Sequence, residues 1–507
     1  MLSKRPEAVS AKRSPVAAFR LVVLLAGLTL ASCSSYDNSA IDVAVVGNAG
    51  DPFEEGTRLA PAGQLVRAAT AEGLVAFDEA GRVIPALADR WIVTDDGQSY
   101  IFRLREGNWP DGDPLTADSA RKAIRATLKD LADTPLALDL GGIDEVRAMA
   151  GRVIEIRLNR PMPYLLQLLA QPELGLDHDG RGAGPMTVTR SGKVAALTRI
   201  EPSRLGLPII ENWAQRTRKV QLHALPGPAA IEAFNEGQVD LVLGGQIQDF
   251  MLTRSVGILR GTIQLDPVIG LFGLQVMRDK GFLADPANRE ALAMAIDRPA
   301  LIAPFGVGGW SPTTRIVTPS LDGDLGTIGE RWGEQSLEDR RAVAAARVRG
   351  WLAGQGGGAP GTPVALHVWL PEGGGSRLLF DRLLADFATI GVRLEKAANA
   401  DGADLALVDD VARYPRAAWF LNRLSCRARR GLCSPEADAR VAEAAIAPSP
   451  AERAALLTEA EAELTATNVF IPFGTPIRWS LVRGSVDGFA TNAWGWHPLM
   501  PLSWLPK

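Results

Sequence analysis

Between Glu72 and Asp118, short apolar stretches alternate with residues that force the backbone to turn. That pattern excludes one long helix or a disordered linker, and it requires strands and hairpins leading into a helix. Asp95-Asp96-Gly97 is turn chemistry, because glycine takes a positive φ without steric cost. Tyr100, Phe102 and Leu104 then alternate with Ile101, Arg103 and Arg105, the period of a half-buried strand. Pro110-Asp111-Gly112-Asp113-Pro114 turns the chain again. Thr116 is placed to cap a helix starting at Ala117, with Asp118 favoured in its first turn by the helix dipole.

The order of residue types in this stretch is distinctive. It runs Glu72-Gly73-Leu74-Val75-Ala76-Phe77-Asp78, Pro85-Ala86-Leu87-Ala88, Trp91, Asp95-Asp96-Gly97 and Tyr100 to Arg105. It closes on Gly107, Trp109 and Asp111-Gly112-Asp113-Pro114-Leu115-Thr116-Ala117-Asp118. This resembles the signature of solute-binding protein family 5, the oligopeptide/dipeptide-binding proteins of ABC transporters. Phe234-Asn235-Glu236-Gly237-Gln238-Val239-Asp240 and the segment Asp285 to Arg298 resemble the same family.

The resemblance implies an α/β fold of two lobes, the large peptide-binding type II periplasmic architecture, with mixed sheets and a ligand cleft between lobes. The expected organisation is a signal peptide at 1–32, a lipidated cysteine and tether at 33–42, and lobe I at 43–267. Lobe I includes an extra subdomain at about 72–185; lobe II spans 268–476, and 477–507 returns to lobe I. Crossings are expected near Gln264 to Gly270 and Phe473 to Trp479.

Two βαβ-like units support the lobes. In the first, Lys219 to Leu225 reads as a strand, Pro228 to Asn235 as a helix stopped near Gly237, and Val239 to Leu243 as a buried strand. In the second, Val364 to Leu370 is a strand and Arg377 to Thr389 a helix ended by Gly391. Strands follow at Val392 to Leu394 and Leu405 to Val408. The glycine-rich stretches 354–361 and 373–375 read as surface loops.

At the N-terminus, Lys4, Arg5, Lys12, Arg13 and Arg20 precede an apolar run from Leu21 to Leu30. That run is shorter than the roughly 20 apolar residues that span a bilayer, so it reads as a signal peptide. Leu30-Ala31-Ser32-Cys33 resembles the bacterial lipobox, which implies cleavage before Cys33, its lipidation, and a periplasmic, membrane-anchored protein. Which membrane holds the anchor stays open. Cys426 and Cys433 then remain as one expected disulfide, whose short loop would stabilise by about 2–3 kcal/mol.

With 507 residues, 47% hydrophobic, and a net charge of −4, the chain has neither the basic stripe of a nucleic-acid binder nor a composition of disorder. Neither G-x-S-x-G nor H-E-x-x-H occurs, so a hydrolase is disfavoured. Gly356, Gly358 and Gly361 satisfy G-x-G-x-x-G, but they follow a helix and precede a strand, the reverse of the dinucleotide context. No cofactor is expected. Asp177-His178-Asp179 reads as a solvated loop rather than a metal site, and His223, His367 and His497 as packing or surface residues.

The informative site is the segment Asp404 to Leu421, above all Asp404 through Arg416. In peptide-binding relatives the resemblance places an Asp-Tyr-Pro motif here, whose Asp holds the ligand α-ammonium. Tyr414 and Pro415 match, but Arg413 stands at the Asp position and Arg416 at a second one. Unit charges about 4 Å apart interact by about 4 kcal/mol at an effective dielectric of about 20, so the reversal is worth up to about 8 kcal/mol. Three readings remain open: Arg413 receives an anionic or hydrogen-bond-accepting group; Asp409 or Asp410 takes over the ammonium by a register shift; or none of them touches ligand. Glu72, Trp494 and Trp496 are further cleft candidates. The expected function is peptide or peptide-like ligand capture by hinge closure of a monomer, delivering to ABC permease and ATPase subunits. A non-transport envelope sensor or chaperone on the same fold is the alternative.

Overall fold

The computed structural model describes residues 1–2, 39–257, 261–319, 321, 328–354 and 363–506. The basic and apolar leader, Cys33 with its lipidation, and the glycines at 356, 358 and 361 lie outside the described residues.

The first lobe is organised by Ala40–Val46, in which Ile41, Val43, Ala44 and Val45 are all buried. A strand apolar on both faces must be covered on both. It runs parallel to Lys219–Leu225 on one side and Leu241–Gly245 on the other. Helix Pro61–Thr70 supplies Ala62, Leu65, Val66 and Ala69 to one face. Helix Gly227–Asn235 supplies Ala230, Ile231 and Phe234 to the other. Antiparallel strands extend the sheet to seven, ending in Trp479–Val482 and Ile263–Leu265 at one edge. Pairing begins at Ala40 with Lys219, so the sheet takes up residues read as tether.

The second lobe has a five-stranded sheet. Its centre, Leu405–Val411, lies parallel to Val364–Trp369 and antiparallel to Gly270–Val276, itself buried at every position. Helix Gly374–Ala388 packs against this sheet and starts three residues before Arg377. Gly373 to Gly375 therefore form no surface loop. A side chain on Gly375 would meet the Ile247 carbonyl at 2.0 Å, so small residues are needed for close packing between helices.

The stretch from Glu72 onward builds a separate antiparallel sheet of Ala88–Val93, Ser99–Leu104, Val153–Leu158 and Ile143–Ala148. Tyr100, Phe102 and Leu104 point into its core, and helix Ala117–Asp130 covers it with Ala120 and Ile124. At that helix's start, Thr116 Oγ1 accepts from the Ser119 amide at 3.1 Å while Ser119 Oγ accepts from the Thr116 amide at 3.0 Å. This reciprocal box satisfies two otherwise orphaned donors.

The chain leaves the first sheet after Leu265 and enters the second at Gly270; it returns between Gly474 and Trp479. The two crossings hydrogen-bond each other, Asp266 N donating to Arg478 O at 3.0 Å. Where the outgoing crossing meets the second lobe, Gly270 lies against the backbone of Asp410: an added Cβ would stand 1.9 Å from that carbonyl. Gly270→Ala is expected to part the two strands and to cost about 1–3 kcal/mol, read as a lower urea midpoint with an unchanged m-value.

Candidate functional site

A cavity of about 400 Å³ lies between the two large sheets. Val45, Leu65 and Leu243 line it from the first lobe, and residues Asp409 to Arg413 from the end of the central strand of the second. Arg478 of the returning crossing and Trp494 and Trp496 of the C-terminal tail complete the wall.

Most charge in this wall is paired across distant segments. Arg413 donates through Nη1 and Nη2 to Glu173 at 2.8 and 2.6 Å, and through Nη1 to Gln171 Oε1 at 3.1 Å. Burial pushes the Glu173 carboxyl up, but Arg413 outweighs it and holds the group below its usual range. Asp410 pairs with Arg430; there too burial raises the carboxyl and the guanidinium more than compensates. Asp409 differs. Its Oδ1 accepts from Arg478 Nη1 at 2.7 Å and its carbonyl from Arg478 Nη2 at 2.8 Å, while Oδ2 is buried without a hydrogen-bond partner among the described residues. Burial raises this carboxyl against the opposing pull of Arg478.

The residues singled out from sequence separate into two groups. Asp409, Asp410, Arg413, Trp494 and Trp496 line the cavity. Trp494 is fixed by donating from Nε1 to Gly81 O at 2.8 Å and by lying 6.2 Å from the Phe77 ring. The remaining three lie elsewhere. Tyr414 is fully buried, stacked on Tyr164 at 4.2 Å, with its hydroxyl donating to Asp139 at 2.9 Å; packing and a hydrogen bond have claimed it. Arg416 lines a different cavity of about 630 Å³, beside Leu138 and Val441. Glu72 faces Arg105 at 3.8 Å, outside the cavity wall, and burial raises its carboxyl to about 7.

Cys426 and Cys433 are joined by a disulfide, with Cα atoms 5.1 Å apart. His178 meets Asp111 rather than its chain neighbours and stacks on Trp109 at 5.0 Å; Asp111 raises its affinity for a proton. Together with Asp113 these offer ligand atoms within 4.8 Å of one another.

Sequence reasoning missed Glu173, Arg430 and Arg478. An arginine at 478, between Ile477 and Trp479 in an apolar crossing, is a local signal of a buried partner. Glu173 gave none, because its partner lies 240 positions away.

Residues 82–199 match the model of "Bacterial extracellular solute-binding proteins, family 5 Middle". The chain is similar to the probable deoxycholate-binding periplasmic protein YgiS of Escherichia coli, 26% identical over 55% of this chain and 57% of that one. It is also similar to the periplasmic oligopeptide-binding protein OppA of E. coli, 24% identical over 82% of this chain and 84% of the relative. Thus the chain spans little more than half of the first relative. Among solved structures, Haemophilus influenzae OppA in complex with RPPGFSPFR superposes with a TM-score of 0.75 at 18% identity, covering 93% of this chain and 99% of the other. That likeness shows the fold.

Two outcomes follow from the electrostatics. Glu173→Gln leaves the largely buried Arg413 without its counter-charge and should destabilise by about 3 kcal/mol in urea titration; the double variant with Arg413→Gln should recover most of that loss. For Glu72, the folded state binds its proton more tightly than the unfolded chain, so stability must fall as pH rises from about 4.5 to about 7 and stay lower above. Glu72→Gln should remove that component, so that its unfolding free energy at pH 8 relative to pH 4, from urea titration, is higher than the parent's by about 3 kcal/mol.

Proposed function

We propose that this chain, which belongs to the bacterial extracellular solute-binding proteins of family 5, captures a peptide or peptide-like molecule between its lobes and delivers it to an ABC importer. The observation that carries this reading is the cavity itself: its wall is assembled from both lobes, a crossing and the C-terminal tail, so it changes whenever the lobes rotate. Rotation about the two short crossings would close the walls on a ligand. The site bears no nucleophile–base arrangement among its wall residues, and the chemistry it offers is binding. Delivery to permease and ATPase subunits, an extracytoplasmic location and lipid anchoring through Cys33 belong to the same proposal. No described helix is long and apolar enough to cross a membrane.

Within the cleft, Arg413 is consumed by Glu173 and is not free to meet a ligand charge. Asp409 is the group best placed for a ligand amine. Its Oδ2 lacks a partner, and a cationic N–H donor there would favour the ionised form that burial disfavours. Of the readings open at the sequence level, the shifted carboxylate is thus the one proposed.

Trp419, Trp494 and Trp496 line the cavity, so binding should change intrinsic fluorescence. Peptides with a free N-terminus are expected to bind the full chain in detergent and to raise its stability by about 2.7 kcal/mol at a hundredfold excess over Kd. Asp409→Asn should weaken them by tenfold or more, as befits a hydrogen bond to a charged group, while N-acetylated peptides change little. No fluorescence or thermal response to any peptide would sink peptide capture. Capture without any chain-dependent uptake in cells would assign the alternative, a non-transport envelope module.

A further inference from the structure

We propose that the disulfide-held loop from Cys426 to Cys433 forms an acid-recognising end of the cleft, where Arg427 and Arg429 receive an anionic oxygen group of the ligand, a carboxylate or a phosphate. The inference rests on the reading of the inter-lobe cavity as the ligand cleft. It places the charge preference on residues other than Arg413.

The loop reads Cys426-Arg427-Ala428-Arg429-Arg430-Gly431-Leu432-Cys433, three arginines in four positions. It borders a second space of about 1020 Å³ that adjoins the first cavity: Gln64, Arg413, Arg423 and Arg430 belong to both walls. The charge of this wall is one-sided. Arg58, Arg413, Arg423, Arg427, Arg429 and Arg430 stand against Glu54, Asp133 and Glu173, six positive groups to three negative.

Four of the six arginines are already engaged. Arg413 is held by Glu173 and Arg430 by Asp410, while Arg423 lies 3.9 Å from the Asp139 carboxylate. Arg58 donates to the Asp133 carbonyl at 3.2 Å. Among the described residues no carboxylate lies at ion-pair distance from Arg427 or Arg429, though both face the space. Of the three acids, Glu173 is taken, and Glu54 accepts from the Ala60 amide at 2.8 Å.

The loop also holds in place the backbone that carries those side chains. The disulfide closes it, Cys426 N donates to Asp438 Oδ2 at 3.0 Å, and Leu432 N donates to Val276 O at 2.7 Å in the second sheet. Gly431 presses against that same carbonyl, which an added Cβ would approach to 2.6 Å. The fixed backbone sets where the two guanidinium forks start, and their planar donors match carboxylate and phosphate oxygens. With Asp409 across the cleft, the ligand that fits is one with an amine at one end and an anionic group at the other.

The test uses the full chain in detergent and a pool of randomised tri- to hexapeptides made in two forms, free acid and C-terminally amidated. Retained peptides are counted by mass spectrometry, and inorganic phosphate is titrated separately by thermal shift. The expected result is a tenfold or greater enrichment of free acids, lost in Arg427→Ala/Arg429→Ala and kept in Arg427→Lys/Arg429→Lys. Both positions are exposed, so the melting temperature should be unchanged and serves as the folding control. Equal retention of acids and amides by the parent chain would overturn the anionic end while leaving peptide capture intact. Retention of no peptide, with phosphate stabilising the parent chain but not the double alanine variant, would uphold the anion site and sink peptide capture. Neither peptide nor phosphate binding would overturn both.

Discussion

Each charge held away from water at the cleft wall is held by a charge from another segment of the chain. A lone guanidinium or carboxylate in such a place costs several kcal/mol, more than most single contacts return. The wall can therefore exist only when the segment that carries Glu173 and the second lobe are in register. Arg413 and Glu173 draw the two together, Tyr164 and Tyr414 stack beside that pair, and Asp139 accepts from Tyr414 and Asn422. At the position where the resemblance places a ligand-binding Asp, this chain has an arginine held in an ion pair. A bidentate pair of this kind is directional, so it fixes orientation as well as charge.

Arg478 links this electrostatics to motion. Its carbonyl accepts from Asp266 on the outgoing crossing, and its guanidinium grips both the side chain and the carbonyl of Asp409. Asp266 in turn is held by the Asn492 amide at 2.9 Å and His497 at 3.1 Å, which ties the crossing to the C-terminal tail. The residue that fixes the relation of the two crossings thus also sets how much of the Asp409 charge is neutralised. In the proposed capture, a donor at Oδ2 would share the carboxylate with Arg478, whose contacts run directly to the crossings. Coupling of the proposed binding to closure would need only this short chain of contacts.

What could be read in the sequence was local. The alternation of Tyr100, Phe102 and Leu104, the cap at Thr116, and the strand Lys219 to Leu225 all depend on neighbours a few positions away, and the structure has them at those places. Gly373 to Gly375 failed for the opposite reason: their composition suggests a loop, but the demand on them comes from Ile247 and Gln248, more than a hundred positions earlier. The site behaved in the same way. Residues Asp409 to Arg413 were legible because motif and strand coincide, whereas the partners that decide their roles, Glu173, Arg430 and Arg478, are set by tertiary packing. Tyr414 was legible as a residue of the motif and misplaced as a contact, since nothing nearby in sequence announces Tyr164 or Asp139.

The sign of the whole molecule does not decide the sign of its cleft. The chain carries a formal −4, which taken alone would repel an anion. But charges separated by more than about 8–10 Å are largely screened at physiological ionic strength, so a group entering the cleft responds to the wall and not to the distant surface. That wall has three more positive than negative groups around the second space, and the low-dielectric sides of a cleft concentrate their field. Pairing removes most of the charge deeper in, where burial makes an unmatched ion costly, and leaves it at Arg427 and Arg429, where exposure keeps an unmatched ion cheap. An asymmetric cleft follows from that difference in solvation alone: neutralised where it is dry, and positive where it opens.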